Sequence, residues 1–199
     1  MRSRKVMMST TDRRTLIVDA AIELIARRGI RALTHRALDT ALELPPGSSS
    51  YYFRTKRALV EAITDRISSR SRADFTAAGF AAPDAADLPA IAHGIAVWLD
   101  RLLLERRDHL IARHALIVDL IGDRELHARL ANSLFSMDRA RALFRANNFP
   151  DPDTAAADFI AVLEGAVFDR FAGNRSDLPA GTPASITQLT TLLSKYLRP

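Results

Sequence analysis

Residues 34–53 limit the fold more than any other part of this chain, because they leave room for only two short helices and a tight turn. Thr34 can cap the first helix, since its side-chain oxygen can accept a free amide hydrogen of the first turn. The Pro-Pro-Gly of residues 45–47 then breaks the chain, because proline disfavours helical angles in the residue before it. A second short helix should follow and end near Phe53. This arrangement is typical of a helix-turn-helix, whose second helix enters the major groove of DNA.

A longer amphipathic helix is predicted on each side of this motif. The preceding helix can be capped by Thr11 or Asp12 and stopped by Gly29, which readily adopts left-handed angles. The following helix can be capped by Thr55. Apolar residues recur at helical spacing in both: Leu16, Ile17, Ala20, Ala21, Leu24 and Ile25 in the first, and Leu59, Ala62, Ile63 and Ile67 in the second.

The rest of the chain also has helical periodicity, and strand signals are scarce. Helices are predicted over 90–105, 108–121, 124–147, 153–172 and 184–197, with loops at 79–89 and 173–183. The fold class is therefore predicted as all-α, with about nine helices. Residues 11–71 should form an N-terminal three-helix, helix-turn-helix domain, and residues 72–199 a C-terminal helical bundle.

Charge is distributed unevenly between these two parts. Residues 1–72 contain 15 Lys+Arg and 7 Asp+Glu, whereas residues 73–199 contain 13 and 16, so the net charges are +8 and −3. A basic first third favours an anionic partner such as nucleic acid. A basic surface that is simply solvated would have the same composition.

Several classes of protein can be set aside. The chain has no cysteine, which excludes disulfides, thiolate metal sites and a cysteine nucleophile. It has no uncharged apolar run of about 18 residues, so no membrane span is expected. Residues 1–10 are basic and polar, lack the features of a secretory signal, and are predicted to be a disordered arm. A cytoplasmic location is the expectation.

The second short helix has side chains that suit contact with a duplex. Gly47, Ser48, Ser49 and Ser50 are small, so the backbone can approach base edges that the serine hydroxyls can reach. Tyr51, Tyr52 and Lys56 follow, and phenol and ammonium groups are common phosphate partners. Thr34, at the N-terminus of the preceding helix, is also placed to meet a phosphate.

Residues 13–67 resemble the DNA-binding domain of the TetR family of repressors. The resemblance rests on the helix LIVDAAIELI from Leu16, the segment GIRALT from Gly29, the start THRAL from Thr34, and the stretch GSSSYYFRTKRAL from Gly47. It covers a little over a quarter of the chain. Two closing amphipathic helices also match the general layout of the family.

The resemblance implies roles for individual residues. The residues that would face the groove are Pro46, Gly47, Ser48 and Ser50. Those that would contact phosphates are Thr34, Tyr51, Tyr52 and Lys56, and the same DNA-binding set would include His35 and Arg36. Phe53 and Leu59 would be core residues. Two positions depart from the family pattern. Glu43 stands where a turn glycine is common, which predicts an altered turn. Ser49 stands where an inward-packing apolar residue is usual, which predicts a looser or slightly rotated helix.

The same resemblance implies that the C-terminal part binds a small-molecule effector and forms the dimer. Candidate ligand residues are Trp98, His109, His114, Asn132, Phe135 and Phe168, although such aromatic residues also commonly form the core of a bundle. Residues 153–172 and 184–197 would pair with their copies in a homodimer, unless both helices pack within their own domain. The histidines have no metal-ligand spacing, so neither a metal nor another cofactor is expected.

These observations predict a ligand-responsive repressor that binds a palindromic double-stranded operator as a homodimer, with recognition helices about 34 Å apart. It is not expected to be an enzyme, because no acid–base pair, phosphate-binding glycine loop or metal motif is present. A helical protein-interaction adaptor, or a helical enzyme whose helix-turn-helix does not bind DNA, is the alternative.

Overall fold

The computed structural model describes residues 10–80 and 87–198, which contain ten α-helices and no strand. The helices are α1 Thr10–Arg28, α2 His35–Ala41, α3 Ser48–Tyr52, α4 Lys56–Ala77, α5 Leu88–Glu105, α6 Arg107–Asp119, α7 Arg124–Ala131, α8 Met137–Ala146, α9 Pro152–Ala172 and α10 Pro183–Leu193. The all-α prediction is confirmed. The predicted basic arm, apart from Thr10, and most of the loop predicted at 79–89 lie outside the described residues.

Side-chain caps define where most of these helices begin. Thr34 and Thr55 accept hydrogen bonds from the backbone N–H groups of Ala37 and Ala58, as their positions in the sequence predict. The same geometry starts the helices of the C-terminal part, with caps at Asp87, Asp123, Ser136, Asp151 and Thr182. Each such cap typically stabilises a helix by about 1 kcal/mol.

The single helix predicted over 124–147 is wrong, because the chain forms α7 and α8 with a break at residues 132–136. The guanidinium of Arg113 on α6 donates to the carbonyl oxygens of Leu130 and Ala131, at 3.1 and 2.9 Å. In a continuous helix these carbonyls would accept from N–H groups four residues later. Ser136 then caps α8. The break comes from a tertiary contact, which apolar spacing does not record. Similarly, α10 ends at Leu193 in a turn instead of continuing to residue 197.

The buried apolar residues form two clusters. The first, which we call the head core, joins α1, α2 and α4 and includes Ile17, Leu38, Phe53 and Ile63. The second, the body core, joins α5, α8, α9 and α10 around Trp98, Phe144, Phe159 and Leu189. We refer to α1–α4 up to residue 67 as the head and to the remainder as the body.

The head core extends past the head. Ala112 and Leu116 of α6 and Leu126 and Leu130 of α7 belong to it, all nearly or fully buried. Helices α6 and α7 of the body therefore close the apolar interior of the head.

Ion pairs support the same junction. Arg57 of α4 meets Asp123 at the start of α7 at 2.5 Å, and Arg129 of α7 pairs with Asp65 of α4. Within the head, Arg66 forms a bidentate pair with Asp19, both bonds being 2.8 Å long. Helix α7 is thus fixed to α4 by apolar contacts and by charge. No helix in the described ranges is long and apolar enough to cross a bilayer.

Candidate nucleic-acid interface and ligand cavity

Helix α3 is held from behind by a buried carboxylate on α2. Asp39 is 4% exposed, and its two oxygens accept hydrogen bonds from the backbone N–H groups of Gly47 and Ser49, at 2.7 and 2.8 Å. Burial alone would raise the pKa of Asp39, but these donors hold that pKa below its ordinary value. The negative charge lies at the helix N-terminus, where unpaired amide hydrogens favour an anion. Sequence reasoning missed Asp39, because its partners are eight and ten residues away and no local motif signals the contact.

Ser49 is fully buried, although it replaces the usual apolar residue. Its hydroxyl donates to the carbonyl oxygen of His35 at 3.1 Å, and Nδ1 of His35 lies 3.1 Å from the same Oγ. Since the hydroxyl has one proton, Nδ1 must be the donor in the second contact. Two hydrogen bonds therefore satisfy the buried hydroxyl, and the looser or slightly rotated helix expected from Ser49 stays a prediction. His35 faces Ser49 and positions α3 from the inside.

The turn between α2 and α3 keeps a left-handed residue at Glu43, whose φ is 52°. The turn closes through a 2.8 Å hydrogen bond from Leu44 N–H to the carbonyl of Asp39. Glutamate therefore occupies the conformation that glycine adopts more easily. Gly47, at φ 89°, provides a second left-handed residue at the cap of α3.

The C-terminal end of α3 is fixed by Arg14 of α1. Its Nη1 donates to the carbonyl oxygen of Tyr52 at 2.6 Å, and its guanidinium lies 4.3 Å from the centre of the Phe53 ring. Phe53 is buried, as predicted. The sequence contains no local signal for Arg14, which is 38 residues from Tyr52. The N-terminal end of α3 is thus attached to α2 and its C-terminal end to α1.

The opposite side of α3 is open to solvent. Tyr51 is 77% exposed, and Thr34, Arg36, Pro46, Gly47 and Lys56 are also exposed, while His35, Ser48, Ser50 and Tyr52 are partly exposed. Ser48 donates its hydroxyl proton to the carbonyl of Pro45, and Ser50 donates to that of Gly47. In this state both hydroxyls present lone pairs outward and can accept hydrogen bonds from a base.

Basic side chains near α3 differ in how they are paired. Lys56 and Arg36 have no carboxylate partner among the described residues, whereas Arg57, next in the chain to Lys56, bonds Glu61 and Asp123. The hydrogen bond that Arg57 donates to Asp123 holds the pKa of Arg57 above its ordinary value. Arg57 therefore attaches the head to the body, and Lys56 is available to a phosphate.

A cavity of about 390 Å³ lies in the body between α5, α8 and α9, beside the end of α4. Trp98 and Phe135 contribute to its wall, and the Trp98 ring meets Phe75, Phe80 and Phe135 edge-on at 5.6–6.0 Å. Its polar lining residues are Asp87, Ser136 and Arg139, all exposed. Its volume falls in the range of small-molecule sites.

The other predicted ligand residues do not line this cavity. His109 borders a polar cleft between α1, α4 and α6, where burial lowers its pKa. Asn132, directly after α7, donates to the carbonyl of Ala128 in the last turn of that helix. His114 packs against Phe168 and Phe171, with Nδ1 at 2.9 Å from the carbonyl of Leu110. The described residues contain no group of three or more side chains placed to hold a metal.

A buried ion pair joins α6 to α9 next to the cavity. Arg113, 1% exposed, makes two hydrogen bonds to Glu164, at 2.7 and 2.8 Å, besides its bonds to α7. Burial would raise the pKa of Glu164, but hydrogen bonds from His114 and Arg113 hold that pKa below its ordinary value. Arg113 thus connects the end of α7, which contacts the head, to α9.

Together these features define a helix-turn-helix regulator: a small exposed helix held rigidly on a basic head, above a body with a cavity of ligand size. Models of two families match the chain, "Bacterial regulatory proteins, tetR family" over residues 17–63 and "Tetracyclin repressor-like, C-terminal domain" over residues 86–198. The chain belongs to the TetR family of DNA-binding transcription regulators, which are not enzymes.

Solved structures agree. A TetR-family member from Streptomyces coelicolor A3 is 26% identical, with a TM-score of 0.67 over 91% of this chain and 98% of that one. The multidrug-binding protein EbrR in complex with imidazole is 24% identical, with a TM-score of 0.60 over 90% and 94%. A TetR-family regulator from Rhodococcus sp. shares the fold at 20% identity, with a TM-score of 0.67 over 94% and 99%. Comparison with curated proteins finds no match.

Proposed function

We propose that this protein is a homodimeric repressor that binds a palindromic operator through α3 and releases it when a small molecule occupies the body cavity. The observation that carries the proposal is the attachment of α3 on its inner side only. Asp39, Ser49 and Arg14 use the inward polar groups, so the exposed side retains small side chains and unpaired cations.

The proposed contacts follow from what each exposed group has left to offer. Pro46, Gly47, Ser48 and Ser50 would face base edges, with the two serine hydroxyls as acceptors. The Thr34 oxygen accepts the capping bond from Ala37, so its proton is free for a phosphate. The phosphate backbone of the DNA would be contacted by Arg36, Tyr51, Tyr52 and Lys56. His35 would contribute indirectly, by holding α3 in position through its hydrogen bonds with Ser49.

DNA binding can be tested with two neighbouring cations. Selection from random duplexes should yield a twofold-symmetric sequence. On that sequence Lys56→Ala should raise Kd about tenfold and reduce the salt slope by about 2 per dimer, because one phosphate contact is lost from each subunit. The matched control Arg57→Ala should change operator affinity little.

Two results would contradict this part of the proposal. One is an equal loss of affinity in both variants, which would remove the distinction between Lys56 and Arg57. The other is the absence of salt-dependent binding to any duplex at low ionic strength, which would favour the adaptor alternative.

The dimer is proposed to form through α9 and α10. From Ala161 onward the exposed residues of α9 are Ala161, Gly165, Phe168 and Ala172, which recur at helical spacing and are small apart from Phe168. The exposed Ala157 and Asp158 lie one turn before them. Helix α10 has no charged residue between Pro183 and Leu193. Small uncharged faces on two adjacent helices suit a four-helix interface with twofold symmetry.

Gly165 gives a direct test of that interface. A Cβ added there meets no heavy atom within 4 Å in this chain, so Gly165→Arg should leave the subunit folded while a charge blocks the partner helix. We expect a monomer in analytical ultracentrifugation and operator affinity at least about 100-fold weaker, because the second half-site is lost. Gly122→Arg, at a second open glycine in a surface turn, should remain dimeric. A dimeric Gly165→Arg protein would refute the proposed interface.

Release of DNA is proposed to pass through residues 132–136. Phe135 and Ser136 line the cavity, and the preceding residues are fixed to Arg113. Helix α7, immediately before them, packs into the head core and pairs with Arg57. A ligand that prefers a different position of this segment would therefore move α7 and change the spacing of the two heads.

The ligand response can be measured with a fluorescent operator duplex and the apolar probes 8-anilinonaphthalene-1-sulfonate and N-phenyl-1-naphthylamine. At least one probe should bind the wild-type dimer and lower its operator affinity. Gly94→Leu should abolish the response, because Gly94 lines the cavity and a Cβ there meets no atom within 4 Å. Release that persists in Gly94→Leu would place the effector elsewhere.

A further inference from the structure

We infer that the cavity selects an apolar, ring-containing molecule with one anionic group, and that Arg139 binds that anion. This inference rests on the proposed ligand response and specifies the chemical class of the ligand. Polar and apolar groups are separated along the cavity wall.

The deep part of the cavity offers no charge to a ligand. Its buried lining residues are Trp98, Phe135, Ala140, Leu143, Phe159 and Leu163. The partly buried ones, Phe75, Phe80, Ile91, Gly94, Ile95 and Ile160, are apolar as well. A cation placed here would lose its hydration with no described carboxylate to replace it, which is costly, whereas a ring system would gain from apolar burial.

The charged groups lie at the exposed end. Arg139 is held there by the Phe75 ring, 4.7 Å from its guanidinium carbon, and donates to the carbonyl of Phe80 at 3.4 Å. It has no carboxylate partner among the described residues. Its position is therefore set by aromatic and backbone contacts that leave its charge uncompensated.

Asp87 is the one carboxylate among the described residues that line the cavity, and it already caps a helix. Its Oδ1 caps α5 by accepting from the N–H of Ala90 at 3.3 Å. The first turns of both α5 and α8 line the cavity, and helix N-termini carry partial positive charge. Asp138, in the first turn of α8, does not line the cavity. Among the described lining residues, Arg139 and the two helix N-termini therefore outweigh the charge of Asp87, which favours an anion over a cation.

Three probes of different charge test this class on the full-length dimer. N-phenyl-1-naphthylamine is neutral, 8-anilinonaphthalene-1-sulfonate adds a sulfonate to the same ring skeleton, and ethidium is cationic. We expect the sulfonate to bind about fivefold to tenfold more tightly than its neutral analogue, and ethidium most weakly. Fluorescence titration gives each Kd.

Arg139→Gln should remove the advantage of the sulfonate and leave the neutral probe within about twofold of its wild-type Kd, because only the charge contact is lost. The control is Arg145→Gln. Arg145 is an exposed arginine on the same helix, but it bonds Asp153 and does not line the cavity. This variant should bind the three probes in the same order of affinity as the wild type. Gly94→Leu should weaken both naphthalene probes, which locates them in the cavity.

Different failures have different meanings. If ethidium binds in the cavity more tightly than the sulfonate, or if Arg139→Gln weakens both naphthalene probes equally, the inferred class is wrong while a ligand-responsive regulator still stands. If none of the three probes binds in a manner sensitive to Gly94→Leu, both the class and the proposed use of the cavity are refuted.

Discussion

The interiors of the head and the body differ in composition and in packing. The head core is mainly aliphatic, with Phe53 its one buried phenyl ring in the described residues, and the polar groups behind α3 are paired with one another. The body core contains several aromatic rings in edge-on contact, and they border a cavity of about 390 Å³. A close-packed interior whose polar groups behind α3 are hydrogen-bonded suits a surface that must keep one shape for DNA. An aromatic wall beside open space suits a part that must accept a ligand.

The junction between the two regions should give the largest effect. Arg113→Met removes the buried cation that bonds α7 and Glu164, and it should cost about 3–5 kcal/mol in the free energy of unfolding, since Glu164 is left with His114 as its one side-chain partner among the described residues. Urea denaturation measures this cost. The double variant Arg113→Met with Glu164→Met should recover much of it, and a double variant as unstable as the single one would show that the lost bonds to α7 dominate.

Truncation of an isoleucine in each region should separate the two interiors. Ile63→Ala, at a fully buried position of the head core, should cost about 3–4 kcal/mol because it leaves a void. Ile160→Ala, at a partly exposed cavity wall, should cost about 1 kcal/mol, because fewer packed neighbours are lost. Equal costs in urea denaturation would mean that the cavity wall is as tightly packed as the head core.

Asp39 should make the head sensitive to acid. Asp39→Asn should cost about 1–3 kcal/mol at pH 7, because charge-assisted bonds to Gly47 and Ser49 are weakened. The pKa of Asp39 is lower in the folded state, so its stabilisation is present above the unfolded pKa and is lost as pH falls through the folded pKa. The difference between wild type and variant in urea should therefore narrow below the ordinary pKa of 3.8. A difference that stays constant down to pH 2 would exclude ionisation of Asp39 as its source.

The two threonine caps of the head should show the smallest effect and the clearest division of roles. Thr34 and Thr55 accept equivalent bonds, at 3.1 and 3.0 Å, so each alanine variant should lose about 1 kcal/mol of stability. Only Thr34→Ala should also weaken operator binding, by about fivefold, if its hydroxyl donates to a phosphate. Equal operator affinities in the two variants would assign Thr34 to capping alone.

The same contrast explains what the sequence could predict. Caps, turn residues and apolar spacing are local signals, so the helices of the head and the exposed position of α3 followed from residues such as Thr34, Gly47 and Phe53. Contacts between distant residues leave no such signal. Asp39 beneath α3, Arg14 against Tyr52 and the break imposed by Arg113 each depend on side chains brought together by the fold. For the cavity, Trp98 and Phe135 were predicted, whereas Arg139 was not, because a surface arginine in a helix has no distinguishing pattern.

The contribution of α6 and α7 to the head core bears on how such regulators can be recombined. A fragment that ends near residue 72 would expose the apolar surface that Ala112, Leu116, Leu126 and Leu130 cover in the whole chain. A chimera that joins this head to the body of a relative would then need complementary apolar side chains on the relative's counterparts of α6 and α7. A stable DNA-binding head in this protein accordingly needs more than the helix-turn-helix. Chimeras should therefore retain α6 and α7 together with the head.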